Sequence, residues 1–63
     1  MNIQKILTDI KDTGLSDYKI APLLGTSQPQ VLRWRTGATD PSSKSAEKIK
    51  KLAEQLRPDI YGN

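Results

Sequence analysis

Apolar residues recur along this chain at helical spacing. Ile3, Ile6, Leu7 and Ile10 stand at i, i+3, i+4 and i+7, a full stripe for a first helix over residues 3–13. Asn2 is placed to cap it, and Gly14 to end it in the left-handed conformation that other residues resist. The chain restarts at Leu15-Ser16: Ser16 is a good N-cap, and Leu15 with Ile20 forms a hydrophobic staple over the first turn. A second helix over 17–24 then carries Ile20, Ala21 and Leu24 inward. Pro22 falls inside it and has no N–H for the Tyr18 carbonyl, so a kink or an irregular first turn is expected.

The stretch TSQPQVLRWRTG, Thr26 to Gly37, supplies a third helix over 28–36. Ser27-Gln28-Pro29-Gln30 has the S-x-x-Q form of a capping box, and Pro29 lies in the first turn, where a missing N–H is tolerated. Val31 and Trp34 face inward, and Gly37 stops the helix. TGATDPSS has no apolar period and reads as a turn-rich connection. Beyond it, Ala46, Ile49, Leu52, Ala53 and Leu56 mark the buried stripe of a last helix over 43–57, with Lys44, Lys48, Lys51 and Gln55 mainly opposite. Pro58 ends that helix, and RPDIYGN reads as a short or frayed tail, at most a fifth turn. No stretch alternates with the period of a strand, so the expected class is all-α.

Composition narrows the chemistry. A chain of 63 residues suffices for one small domain with one core, close to the size at which a single core is only marginally stable. It has no cysteine, which removes disulfides and thiolate metal sites and is compatible with a reducing cytosol. It has no histidine either, so Ser-His and Cys-His nucleophile pairs are impossible, and no metal or cofactor is expected. An enzyme would have to be built from Asp, Glu, Lys, Ser and Tyr alone. MNIQKILTDIKD carries charge in every turn, with neither an apolar targeting segment nor a spanning one, so no membrane is expected.

The net charge of +3 is unevenly spread. Residues 1–27 balance Lys5, Lys11 and Lys19 against Asp9, Asp12 and Asp17. Residues 28–51 set Arg33, Arg35, Lys44, Lys48, Lys50 and Lys51 against only Asp40 and Glu47. A basic excess that begins in the third helix points to a polyanionic partner, although solvated helices share the bias.

Two short helices joined by a tight glycine-containing turn form a helix-turn-helix, whose second helix enters the major groove of DNA. The demands of that arrangement are met residue by residue. Ala21 is small where the partner helix crosses, Gly25 tolerates the positive φ of the turn, and Val31 and Trp34 anchor the reading helix. LSDYKIAPLLGTSQPQVLRWRTG resembles the helix-turn-helix of phage repressor and Cro proteins and of the related xenobiotic-response-element regulators, the lambda-repressor-like family. The resemblance carries Ile20, Ala21, Leu24, Gly25, Ser27, Val31, Trp34 and Gly37, and with the flanking helices covers residues 3–56. Three residues depart from the pattern. Thr26 stands where the family usually has a branched aliphatic, Pro22 interrupts the second helix, and Asp17 sits where members often present a neutral side chain to phosphate. Asp17 would repel a phosphate beside it, while the helix N-terminus can still bind one. Arg35 replaces an acidic residue common after the tryptophan, and two placements are open for it: a pair with Asp9 or Asp12, or the DNA backbone.

The resemblance implies a bundle of four to five helices with recognition helix 28–36 in the major groove. Helical geometry turns Pro29, Leu32, Arg33 and Thr36 away from the core, and Gln28 projects from the leading end; in the family, that end and face meet base edges. The expected base contacts are Gln28, Pro29, Gln30 and Arg33. Gln28 suits adenine and Arg33 guanine, each worth about 1–3 kcal/mol of discrimination. Pro29 and Leu32 suit a thymine methyl, but Leu32 is placed first as partly buried against a neighbouring helix, and Gln30 divides evenly between the capping box and DNA. The expected phosphate contacts are Ser27, Arg35, Thr36, Thr39, Ser43 and Lys44. Lys48, Lys50 and Lys51 are assigned to solubility, Ser42, Ser43 and Ser45 are candidates for capping, and Trp34 belongs to the core with its indole N–H at the edge.

The expected function is sequence-specific binding of double-stranded DNA as a small phage-type regulator, with no small-molecule ligand. Members of the family usually bind as homodimers on palindromic operators with half-sites about 34 Å apart. Ile60 and Tyr61 are the only spare apolar pair for a dimer surface. A different class is a small helical interaction module whose basic helix meets an acidic protein. A third, a lysine- or carboxylate-based enzyme, lacks a glycine-rich phosphate loop or paired acids.

Overall fold

The apolar stripes assemble into five helices, α1 (Ile3–Lys11), α2 (Asp17–Leu23), α3 (Gln28–Thr36), α4 (Ser43–Leu56) and α5 (Pro58–Tyr61), in a computed structural model that describes residues 2–62. No strand occurs among the described residues. α1 lies at the centre: α4 packs along one flank and α3 along another, α2 packs on α3, and α5 on α4. The fully buried side chains Leu7, Ile10, Ile20, Val31 and Ile49 come from all four longer helices, each contributing about 1.5–3 kcal/mol by leaving water. Ile6, Ala21, Leu24, Trp34, Leu52 and Ala53 complete one core, with Ile3 and Leu56 packed at its edge.

Helix ends differ from expectation where local hydrogen bonds intervene. α1 stops at Lys11 rather than residue 13, because the Thr13 hydroxyl donates to the Ile10 carbonyl at 2.7 Å and draws the chain into a turn. α2 stays α-helical through Pro22, its next-to-last residue, without an irregular first turn. The carbonyl that Pro22 cannot bond belongs to Tyr18, a residue 75 % exposed, where water can serve it.

α2 and α3 end in the same device. After α2, Gly25 has φ +68°, its N–H donates to the Pro22 carbonyl at 3.2 Å, and the Thr26 N–H donates to the Ala21 carbonyl at 2.9 Å. After α3, Gly37 has φ +83° and the Ala38 N–H donates to the Arg33 carbonyl at 2.9 Å. A Cβ at Gly37 would also overlap the Gln4 side-chain amide, so the end of α3 sits hard against α1.

Of the two expectations for the C-terminal segment, a frayed tail or a short fifth turn, the turn is the one that forms. Pro58–Tyr61 forms a helical turn, and the Tyr61 hydroxyl donates a short hydrogen bond to the Asp9 carboxylate on α1. Lys5 donates to the same carboxylate at 3.0 Å, and Arg57 reaches the Asp9 carbonyl at 3.4 Å. Tyr61 is therefore not spare apolar surface, which leaves Ile60 exposed without it. Tyr18, Leu23 and Leu32 are also exposed, so the tail is not the sole apolar surface left over.

Candidate nucleic-acid interface

α3 has two faces with different fates. Its inner face carries Val31, fully buried, and Trp34, 5 % exposed, both part of the core. The indole N–H of Trp34 is enclosed and has no hydrogen-bond partner; it does not lie at the core edge as expected, because the ring is sunk too deep. An unpartnered buried donor of this kind is destabilising by about 1–3 kcal/mol.

Arg35 adds a polar fastening. Its Nε and Nη2 donate to the two Asp17 carboxylate oxygens at 3.3 and 2.9 Å, a bidentate pair that joins the end of α3 to the start of α2. Asp17 is 7 % exposed and also has the Lys11 ammonium at 3.8 Å. The Arg35 guanidinium holds the Asp17 carboxyl below the usual carboxylate range, outweighing the burial that pushes it up. Asp17 in turn raises the pKa of Arg35. This corrects both expectations for the region. Arg35 pairs with Asp17, not with Asp9 or Asp12, since Asp9 is already engaged by Tyr61 and Lys5. The negative charge of Asp17 is matched by two cations and does not stand bare at the helix start.

The outer face of α3 exposes Pro29, Leu32, Arg33 and Thr36. Leu32 is 39 % exposed, partly covered yet on the open side of the core residues Val31 and Trp34. The Arg33 Nη1 makes one long contact, 3.5 Å, to the side-chain Oε1 of Gln30, which leaves its remaining donors to solvent. The Thr36 hydroxyl donates to the Leu32 carbonyl at 2.9 Å, so its hydrogen is taken up within the helix. Gln28 and Gln30 are half-buried at the leading end.

The capping box does not form. Ser27 has the extended backbone of an N-cap, φ −98° and ψ 157°, but its side chain accepts no capping bond, and the Gln30 side chain turns to Arg33 instead. Pro29 at the second helical position removes one of the two N–H groups that an N-cap side chain normally bonds. Ser27, Thr39 and Ser43 are exposed with free hydroxyls, and Lys44, near the loop that follows α3, is exposed with its ammonium unpaired among the described residues.

Charge accumulates around the same elements. Ion pairs among the described residues use Lys5, Lys11, Arg35 and Arg57, whereas Lys19, Arg33, Lys44, Lys48, Lys50 and Lys51 enter none. Among the described residues, no group of three His, Cys, Asp or Glu side chains could hold a metal ion, and no helix is long and apolar enough to cross a membrane. Sequence reasoning missed the Asp17–Arg35 pair, whose only signal was two opposite charges, one at the start of α2 and one near the end of α3. No protein-family model, curated protein or solved structure matches the chain significantly.

Proposed function

We propose that this protein binds double-stranded DNA sequence-specifically, α2 and α3 acting as a helix-turn-helix with α3 in the major groove, as a small phage-type transcriptional regulator. The observation that carries this reading is the division of α3: Val31, Trp34 and Arg35 fasten one face, while Pro29, Leu32, Arg33 and Thr36 stand exposed on the other. A helix fixed in this way presents its side chains at a constant spacing, which base recognition requires.

Arg33 is the principal reader, its fork suited to the O6 and N7 acceptors of guanine. Gln30 sets the direction of that fork through its contact with Nη1 and offers its own amide beside it. Gln28 meets the groove from the leading end. Pro29 and Leu32 give apolar contact to thymine methyl groups. Ser27, Thr39, Ser43 and Lys44 bind phosphates, helped by the N–H groups at the start of α3. Arg35 leaves this set because Asp17 takes its Nε and Nη2, and Thr36 serves as an acceptor more readily than as a donor. Binding as a symmetric homodimer on a palindromic site follows from the few base pairs that one short helix can read.

Selection from a randomised duplex library at low salt tests the proposal. It expects an enriched palindrome whose affinity falls steeply with salt; no duplex binding at low salt would sink it. Arg33→Ala should remove preference at one base-pair position per half-site, at a loss of about 1–3 kcal/mol. A uniform loss across sequences would make Arg33 a phosphate contact.

A further inference from the structure

α2 and α4 leave between them an open groove of ≈ 200 Å³ lined by Leu23, Lys48, Lys51, Leu52 and Gln55. It arises because α2 packs mainly on α3, and α4 on α1 and α5, so the flanks of α2 and α4 face each other with little to fill the space. No residue of α3 lines it. Its floor is apolar, with Leu52 at the core edge and Leu23, the last residue of α2, 56 % exposed. Its rim is cationic: Lys48 and Lys51 are exposed and belong to none of the ion pairs among the described residues. Lys44 continues the row one turn earlier on the same side of α4.

We infer that this groove docks an acidic amphipathic segment of a partner protein, one large apolar side chain seated between Leu23 and Leu52 and its neighbouring carboxylates paired with Lys48 and Lys51. The inference goes beyond DNA binding and does not rest on it. Charge complementarity selects the occupant. A second copy of this chain, itself cationic, would bring the lysines of both copies together in a symmetric contact. A nucleic-acid backbone would satisfy the lysines but offers nothing to the leucines. An acidic amphipathic helix satisfies both, laying apolar residues in the groove and acids along its edges.

The experiment titrates the full chain with a short fluorescein-labelled peptide carrying leucines at helical spacing with aspartates and glutamates between them. The control peptide has those leucines replaced by alanine. Anisotropy should show saturable binding of the first peptide and little of the control, and amide shifts should cluster at Leu23, Lys48, Lys51, Leu52 and Gln55. Leu23→Glu, and separately Lys48→Glu with Lys51→Glu, should weaken binding about tenfold or more. Arg33→Ala should leave it unchanged. Leu23 is largely exposed, so Leu23→Glu keeps the fold, which circular dichroism checks. Equal binding of the control, shifts centred on α3, or indifference to Leu23→Glu each overturn the inference. So does a concentration-dependent dimer that Leu23→Glu dissolves, which would give the groove to a second copy. If the paired lysine changes weaken duplex binding as much as Arg33→Ala does, the lysines form a phosphate track and the docking site falls. Peptide binding with the expected footprint alongside no duplex binding would leave the docking site standing and remove the DNA reading.

Discussion

The N-terminus of α1 is closed by the Asn2 side chain, which accepts from the Lys5 N–H at 3.1 Å, and that of α4 by Ser42, which accepts from the Ser45 N–H at 3.3 Å. α2 and α3 also begin on good capping residues, Ser16 and Ser27, yet neither side chain takes a capping bond. The two pairs of helices differ in what holds them. α1 and α4 are long or strongly amphipathic, and each secures its own start. α2, seven residues with a proline near its end, is too short to persist alone, and α3 is polar over most of its surface. That pair is held by tertiary contacts: Ile20, Ala21, Val31 and Trp34 in the core, the two glycine turns, and the Asp17–Arg35 pair between them. A scaffold that secures its own helix ends can carry two helices that leave theirs open to a ligand.

If α3 depends on its mounting, Trp34→Ala should have the largest effect. Truncation of a buried tryptophan costs about 3–5 kcal/mol, comparable to the roughly 3–5 kcal/mol that a single small core supplies. The variant should be largely unfolded at room temperature by circular dichroism. Trp34→Phe keeps a ring and removes the unpartnered N–H, so its loss should be much smaller. A folded Trp34→Ala protein with α3 amides still protected from exchange would show that α3 stands without its anchor.

Arg35→Ala should come next. It leaves the Asp17 carboxylate buried with only Lys11 at 3.8 Å, a loss of about 2 kcal/mol for a charge-assisted pair. Removing both partners, Asp17→Ala with Arg35→Ala, should recover part of that loss, because no stranded charge remains. Urea denaturation of the two single variants and the double variant measures the coupling. A stable Arg35→Ala protein whose duplex binding has a salt slope lower by about one would return Arg35 to the phosphate contacts.

What could be read in the sequence follows the same division. The core stripes were legible because burial repeats with the period of the helix, and the residues expected inward are those the core contains, with Ile3, Ala46 and Leu56 half-buried. Contacts between distant residues were not legible. Arg35 and Asp17 lie 18 residues apart and Tyr61 and Asp9 52 apart, and no local pattern pairs them. The capping box was a correct string without its geometry: the Ser27 side chain makes no capping bond and the Gln30 side chain turns to Arg33. Leu32 reads as apolar, but how much of it a neighbour covers depends on how the helices pack, which no local pattern carries. On the candidate reading face, Pro29, Arg33 and Thr36 were placed outward from helical angles alone, and the structure has them exposed.

The two carboxylates that fasten the molecule also give it a pH signature. The Tyr61 hydroxyl, and after it the Lys5 ammonium, hold Asp9 below its ordinary range, as Arg35 holds Asp17. A depressed carboxyl contributes stability that is complete above its unfolded pKa of about 3.9 and is lost as pH falls through its folded value. Tyr61 is shifted upward, chiefly by its hydrogen bond to Asp9. Its contribution is complete below about pH 10 and is lost as pH rises through the folded value. With no histidine in the chain, stability should be flat from about pH 5 to 9 and fall on both sides. Tyr61→Phe should shrink the acid limb and leave on the alkaline side only the contribution of Lys5, also raised by Asp9. Arg35→Ala should shrink the acid limb and leave the alkaline side unchanged. Urea midpoints across pH for the parent and both variants separate the two fastenings; identical profiles for the variants would mean that they titrate as one.

The smallest effects test the open helix starts directly. Ser42→Ala removes an observed cap on α4 and should destabilise by about 1 kcal/mol. Ser16→Ala and Ser27→Ala remove no capping bond and should change stability by less than about 0.5 kcal/mol. If Ser27 contacts phosphate as proposed, the loss for Ser27→Ala should appear in duplex binding instead, uniform across operator sequences. If Ser27→Ala destabilises as much as Ser42→Ala, Ser27 caps its own helix in solution. The start of α3 would then be as closed as those of α1 and α4, and the N–H groups behind it would not be available to a phosphate.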